Sequence, residues 1–318
     1  MPDVSRNFTG KVWRVHQFGP PDVMQLELSE TPAPGADEVI VKVRAAGVGP
    51  WDGWIRAGNS ALPQPLPLIL GSDISGEVAA VGTGVTRFKV GDDVYGVTNK
   101  RFCGGYAQYA VAEATMLDHK PVSIDHVGAA SLPVIAVTAW QALFDQAGLK
   151  KGQSVLIHGS AGNVGAYAVQ FAREAGLRTI CTASSGDTDS VFALGGETVI
   201  DYTKTGFDDE IRDVDAVIDL VGGETQTRSF RVLKKGGRMI SAVSVPDQML
   251  AAQHQVLAKF FLVDVSTSSL ARISSLISRN ALKMNVGATL GFEQAKEAHL
   301  MLEGQLPRQK GKTVLTMD

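Results

Sequence analysis

Between Lys11 and Val111 the apolar positions recur in short alternating runs. From Glu38 to Ala45, Val39, Val41 and Val43 take every second place, and a period of two puts them on one face of a strand. Lys11 to Phe18, Met24 to Leu28, Ile74 to Val81, Asp93 to Val97 and Tyr106 to Val111 read the same way. Gly19-Pro-Pro21 and Pro32-Ala-Pro-Gly35 mark turns between them. Many short strands punctuated by Gly and Pro predict an antiparallel, barrel-like domain. The polar residues before Lys11 are expected to fray. The period then changes. Residues 126–146 read as helix, after which strand-like and helix-like segments alternate: 154–158, 163–175, 178–183, 187–194, 198–202, 214–220, 224–234 and 237–243. Alternation at this spacing implies βαβ units and a parallel sheet with helices on both faces. Ser266 to Asn280 reads as a capped helix. A strand near Lys283 to Ala288, a helix at Phe292 to Leu302 and a strand at Lys312 to Thr316 follow. This tail is assigned to the first domain.

One junction carries candidate chemistry. Gly159, Gly162 and Gly165 recur every three residues between the apolar strand at Val155 and a helix opening near Asn163, a variant of G-x-G-x-x-G. In such a turn one glycine makes the bend, a second lets the backbone approach a pyrophosphate, and a third lets helix and strand pack closely. The same residues would also serve a tight turn with no ligand. Context favours the nucleotide: Val164, Ala168, Phe171, Ala172 and Ala175 follow at helical spacing, then a strand at Thr179 to Cys181 completes β-α-β. The candidates are Gly159, Ser160, Ala161, Gly162, Asn163, Val164 and Gly165, with phosphates resting over the helix start.

Composition narrows the remainder. At 318 residues the chain suits two domains, and its 44% hydrophobic and 20% charged content is that of an ordinary globular protein. A net charge of −3 gives no pull toward nucleic acid or anionic membranes, so neither is expected as a partner. The longest apolar run, around Ala129 to Trp140, is broken by Pro133 and too short to span a bilayer. No stretch near the start has a signal-peptide core, and cytoplasmic residence is the expectation. Cys103 and Cys181 stand alone without C-x-x-C spacing, and the six histidines show no metal-ligand spacing.

Taken in order, Gly71-Ser-Asp-Ile-Ser-Gly-Glu77, Val90-Gly-Asp-Asp-Val-Tyr-Gly96, Gly104-Gly-Tyr-Ala-Gln-Tyr109, Val137-Thr-Ala-Trp-Gln-Ala-Leu143, the glycine turn, Gly236-Gly237 and Gly311-Lys-Thr-Val-Leu315 carry a resemblance. The chain resembles the medium-chain dehydrogenase/reductase superfamily, specifically its zinc-independent quinone oxidoreductase branch, over nearly its whole length from Lys11. The resemblance implies a GroES-like β-barrel-type catalytic domain (1–126 and 266–318) split by an inserted Rossmann domain with a doubly wound parallel sheet (127–265). Zinc alcohol dehydrogenases of this superfamily have Cys-His where this chain has Gly49-Pro50, and Gly-His-Glu where it has Gly71-Ser72-Asp73. Two of the three ligands that catalytic zinc needs are gone, so no zinc or other metal is expected.

The stretch Thr182-Ala-Ser-Ser185 lacks the carboxylate that relatives use to bind the ribose of NAD, which points to NADP(H), with Ser184 and Ser185 donating to the 2′-phosphate. Asp187 departs from the branch, which often has Lys there; its other reading is a first-turn helix residue. By resemblance, Tyr202 lies beside that phosphate, Thr138 contacts the nicotinamide-side phosphate or ribose, and Val221, Gly222 and Ala242, Val243, Ser244 line the cleft. Phe260 and Phe261 meet the carboxamide by the same route. The plain alternatives are a helix residue for Thr138 and core or subunit interface for the two phenylalanines. Lys312 is either a phosphate contact or a solvated charge. On the substrate side Trp51 and Trp54 form either an apolar wall or core packing, and Asp52 belongs to either a substrate-side network or a turn. No proton donor is assigned.

Without a Lewis acid, the acceptor has to spread the charge left by hydride addition, as a quinone or an α,β-unsaturated carbonyl does. The expected function is NADPH-dependent reduction of such a compound. The alternatives are an NADPH-binding structural or redox-sensing protein with little turnover, and a zinc-type alcohol dehydrogenase. A homodimer is expected by resemblance, through an edge strand near Lys259 to Val263.

Overall fold

The computed structural model describes residues 8–317, which divide into two units. The first comprises residues up to Val134 with Val265–Arg279 and Met284 onward; the second is Ile135–Asp264 with Asn280–Lys283. Residues 127–134 thus fall with the first unit, where helix His126–Ala130 packs on its strands.

The chain opens with β1 (Phe8–Val15), β2 (Met24–Thr31) and β3 (Glu38–Val48), then helix α1 (Pro50–Arg56). Strands β4 (Leu68–Ile69), β5 (Asp73–Val81), β6 (Asp93–Val97), β7 (Tyr109–Glu113) and β8 (Leu117–His119) precede α2 (His126–Ala130). Residues 8–10, expected to fray, are paired instead: β1 lies antiparallel to β2 with Phe8 opposite Thr31. Residues 1–7, the rest of that expectation, lie outside the described residues.

Pro133 divides the helix expected over 126–146. It sits at the start of α3 (Pro133–Trp140), where its missing N–H costs nothing, and the chain from Gln141 to Gln146 winds as a π-helix. The second unit then runs β9 (Ser154–Ile157), α4 (Asn163–Glu174), β10 (Arg178–Ala183), α5 (Thr188–Leu194), β11 (Thr198–Asp201), α6 (Phe207–Glu210), β12 (Val214–Asp219), α7 (Gly223–Ser229), β13 (Leu233–Ser241), α8 (Gln248–His254) and β14 (Leu257–Phe260). The sheet order β11-β10-β9-β12-β13-β14 is parallel throughout. It reverses direction between β9 and β12, the point where doubly wound sheets take ligands at their carboxyl ends. Val155, Leu156, Val217 and Ile218 are wholly buried along the central pair, as a sheet covered on both faces requires.

Helix α9 (Thr267–Ser278), β15 (Val286–Gly291), α10 (Ala295–Leu302) and β16 (Lys312–Thr316) return to the first unit. There β16 is inserted between β15 and β3 in the order β15-β16-β3-β5-β6-β8, and β7 also pairs with β3. Val39, Val41 and Val43 are buried as their alternation predicts, against Ile74, Val78, Leu117 and Leu315. No helix among the described residues is long and apolar enough to cross a membrane.

Two buried histidines pin elements together. In the second unit His158 bridges Thr182 Oγ1 (3.0 Å) and Ser229 Oγ (2.9 Å). In the first, His299 Nδ1 accepts from Arg56 Nη1 at 2.8 Å, and the same guanidinium reaches Gly19 O and Glu303. Burial pushes the His158 pKa down to about 4, and burial with the Arg56 charge pushes His299 down to about 3. Both lie below the ordinary 6.5, so the unfolded chain takes up these protons first. Their contribution to stability is complete above pH 6.5 and is lost as the pH falls toward 4 and 3. The thermal midpoint is expected to drop over that range, and to drop less in a His299→Gln variant; equal slopes for the two proteins would contradict the assignment.

Candidate functional site

In the second unit the parallel sheet puts the carboxyl ends of β9, β10, β12 and β13 along one edge, and most of the sequence candidates with them. The turn after β9 has the geometry its glycines predict. Gly159 takes a positive φ of 67°, and a Cβ on Gly165 would overlap the Gly159 carbonyl oxygen and the Ser160 Cα. Only glycine lets α4 start this close to the strand. Ser160 is buried and donates to Ile157 O at 2.7 Å, so its side chain fixes the loop. No side chain caps α4 at Gly162, leaving the first-turn N–H groups to whatever lies above.

The neighbouring loop, the stretch from Asp219 to Gly222 that the resemblance sets along the cleft, is shaped by the carboxylate at its start. Asp219, wholly buried at the end of β12, accepts Val221 N–H (3.0 Å) and Gly222 N–H (2.8 Å) on one oxygen. On the other it accepts Gln226 Nε2 and Ser241 Oγ, both at 2.8 Å. A strand-end Asp followed three residues later by Gly is a turn signal of this kind. Gln226 also holds the Ser244 hydroxyl, at 3.1 Å. Val221 and Val243 are left about half exposed and Tyr202 is 58% exposed, apolar and aromatic surface on an otherwise polar rim.

At the end of β10 the serines are not free. Ser184 Oγ donates to Asp187 Oδ2 (2.6 Å), and Ser185 Oγ to Asp201 Oδ2 (2.5 Å). Hydrogen bonds from Ser185 and Thr203 hold the Asp201 pKa well below the usual carboxylate range. Lys204 stands 3.0 Å from Asp201. Asp187 is therefore more than a first-turn residue, since it flanks α5 and engages Ser184. Among the other candidates, Thr138 is buried in α3, Phe261 is buried and Phe260 half-buried at the end of β14.

Lys312 requires a correction. It is neither solvated nor placed to meet a phosphate: it is completely buried in the first unit, with its ammonium 2.8 Å from Asp73 Oδ2 and 4.1 Å from the centroid of the Trp51 ring. A lysine at zero exposure needs a counter-charge, and β16 brings it beside the start of β5 where Asp73 waits. Burial raises the Asp73 pKa and Lys312 draws it back.

Around that pair lie the substrate-side candidates. Pro50 opens α1, and Asp52 at the third helical position accepts Gly49 N–H (2.8 Å) and Tyr106 O–H (3.0 Å) on Oδ2. Its Oδ1 is buried without a partner, and burial pushes the pKa up to about 7. Both alternatives for Asp52 hold in part, a turn carboxylate that is also one end of a buried network. Trp51 is half-buried and donates from Nε1 to Ser72 Oγ at 3.0 Å; Trp54 is exposed rather than packed in the core. A Cβ on Gly49 would run into the Trp51 ring. The positions that carry zinc ligands in the alcohol dehydrogenases of the resembled superfamily are thus a glycine covered by an indole and a serine bound to that indole. Among the described residues no group of three His, Cys, Asp or Glu could hold a metal.

A doubly wound sheet with a glycine-turn cradle, inserted into a barrel-like unit, defines a dinucleotide-type α/β protein. Residues 35–122 match the alcohol dehydrogenase GroES-like domain family, and residues 194–315 a family described as zinc-binding dehydrogenase. The human quinone oxidoreductase is 34% identical over 235 residues, 71% of each chain. The quinone oxidoreductase of Coxiella burnetii, a solved structure, superposes with a TM-score of 0.89 at 34% identity, covering 98% of this chain and all of that one. A mycobacterial protein solved with NADPH superposes with a TM-score of 0.84 at 27% identity, over 97% of this chain and all of its own. The chain belongs to the medium-chain dehydrogenase/reductase superfamily, in its quinone oxidoreductase-like branch. Its two units are the GroES-like and Rossmann domains of that fold.

If Gly165 is what lets α4 approach, a Gly165→Ala variant is expected to weaken dinucleotide affinity by about tenfold or more, with a lower thermal midpoint. Calorimetric titration would show it, and unchanged affinity would mean that the cradle lies elsewhere.

Proposed function

We propose that this chain is an NADPH-dependent oxidoreductase that reduces a quinone or an α,β-unsaturated carbonyl without a metal. The observation carrying the reading is the arrangement at Gly49, Trp51 and Ser72, which supplies no thiolate or imidazole and gives the serine oxygen to an indole N–H. The family description that mentions zinc covers residues 194–315, a range without these positions. With no Lewis acid, an acceptor that delocalises its own charge is favoured. The cofactor, when bound, supplies the hydride.

The chain's residues then have three tasks: binding, orientation and exclusion of water. The Gly159–Gly165 turn and the open N–H groups of α4 receive the diphosphate. Asp219 keeps Val221 and Gly222 in place along the same edge. At β10 the 2′-phosphate meets Ser184, Ser185, Tyr202 and Lys204, in competition with Asp187 and Asp201 for the two hydroxyls. The solved relative with NADPH supports this cofactor. The outer strand β14, with Leu257 and Leu262 exposed beside it, supports a dimer built by pairing this edge with a second copy.

Steady-state loss of NADPH absorbance with a panel of quinones and alkenals, before and after treatment with a chelator, tests the activity. Turnover that survives chelation is expected. Tight NADPH binding without turnover on any acceptor would favour the sensing alternative, and loss of turnover on chelation the zinc enzyme.

The cofactor choice has its own test. Asp187→Asn removes a charge facing the 2′-phosphate and is expected to strengthen NADPH relative to NADH by about three- to tenfold. Wild-type protein that binds NADH more tightly than NADPH would overturn the NADPH reading.

A further inference from the structure

We propose that the π-helix Gln141–Gln146 is a positioning device for the nicotinamide half of the cofactor, its two glutamine side chains pinning the main chain that leaves the carboxyl end of β14. The proposal deepens the NADPH reading argued above and rests on it.

Gln141 holds the far end of that stretch. Its Nε2 donates to Asp264 O at 2.7 Å, and its Oε1 accepts from Asp264 N–H at 3.1 Å. One side-chain amide thus pairs with the backbone of one residue much as a neighbouring strand would. The near end, in β14, is held from the same turn, since Gln146 Oε1 accepts from Lys259 Nζ at 2.7 Å. The winding matters here. In an α-helix, residues five apart point about 140° away from each other. A turn closed by i→i+5 bonds brings them close to one line instead. The π-helix therefore lets both glutamines reach one edge of the sheet.

The pinned stretch belongs to the ligand edge. β14 is parallel to β13, so its end at Phe260 lies along the same side as Ser241 and Asp219. Phe261 N–H donates to Ser241 O at 3.1 Å. Ser241 Oγ in turn donates to Asp219 and accepts Val243 and Ser244 N–H, both at 3.2 Å. Between the anchors at Ser241 and Gln141, the main-chain groups of Leu262 and Val263 make no hydrogen bond among the described residues. Held open in this way, they match a carboxamide, which offers one acceptor oxygen and one donor nitrogen. A doubly wound sheet divides its dinucleotide at the point where strand order reverses. With β10 and β11 on the adenosine side, β13 and β14 fall to the nicotinamide. Gln141 acts through the backbone it fixes, and spares the cofactor the cost of ordering that backbone.

The test compares calorimetric titrations with NADPH and with adenosine 2′,5′-bisphosphate, which has the adenosine and its 2′-phosphate but no nicotinamide. Gln141→Leu loses both bonds to Asp264 and is expected to weaken NADPH about tenfold while the fragment changes less than twofold. Gln146→Leu is expected to weaken NADPH about threefold with the same selectivity. Should Gln141→Leu fail to fold, Lys259→Met breaks the Gln146 contact from an exposed position of β14 and carries the same comparison. Equal losses for NADPH and the fragment, or no loss for either, would overturn the pinning. A wild type that binds NADH more tightly than NADPH would instead remove the reading beneath it, and NADH against adenosine diphosphoribose would then decide the pinning by the same ratio.

Discussion

A carboxylate with no water beside it has to find a cation or surrender its charge, and in this chain that requirement is met by Asp73 and Lys312. At zero exposure for both partners, the pair is costly to bury and more costly to break, because either group alone would be left uncompensated. Its geometry fixes more than two side chains. Asp73 opens β5, Lys312 opens β16, and both strands flank β3. The ammonium also reaches the first turn of α1 through Trp51. Ser72, Gly49 and Asp52 take their places around that contact, so the surroundings of α1 are arranged about one buried ion pair.

The second unit solves a different problem, the approach of backbone to backbone. A parallel sheet aligns its strand ends, and the Gly159–Gly165 turn lets a helix begin almost in contact with the strand that precedes it. Polar side chains then act as struts: Ser160 on Ile157, His158 between Thr182 and Ser229, Asp219 across β12 and β13. Each of these groups is engaged in holding the loops together. What the edge offers is main-chain N–H groups and exposed apolar surface.

Local pattern made much of this legible. The alternation of Val39, Val41 and Val43, the strand–helix rhythm after residue 154 and the spaced glycines are all properties of neighbours in sequence, and each matched an element. Failures came where distant groups decide. Lys312 reads as a phosphate contact or a solvated charge until a strand 239 residues away supplies Asp73. The hydroxyls of Ser184 and Ser185, proposed above as phosphate contacts, already engage Asp187 and Asp201. The short α1 escaped notice because seven residues show no period, although Pro50 and Asp52 are both helix-start signals. The helix expected across 126–146 ignored what Pro133 does to its hydrogen bonds.

The split of the first unit has a consequence for how the molecule comes to exist. The strand carrying Lys312 emerges from synthesis only after the whole second unit has been made, so Asp73 waits through that interval without its counter-ion. The second unit, nearly continuous in sequence, can fold in the meantime; the barrel cannot be finished until its last strand slides between β15 and β3. Completion of the barrel is therefore a late, long-range event, and a chain interrupted before residue 312 would keep an intact nucleotide fold beside an open sheet with an unpaired acid at its centre.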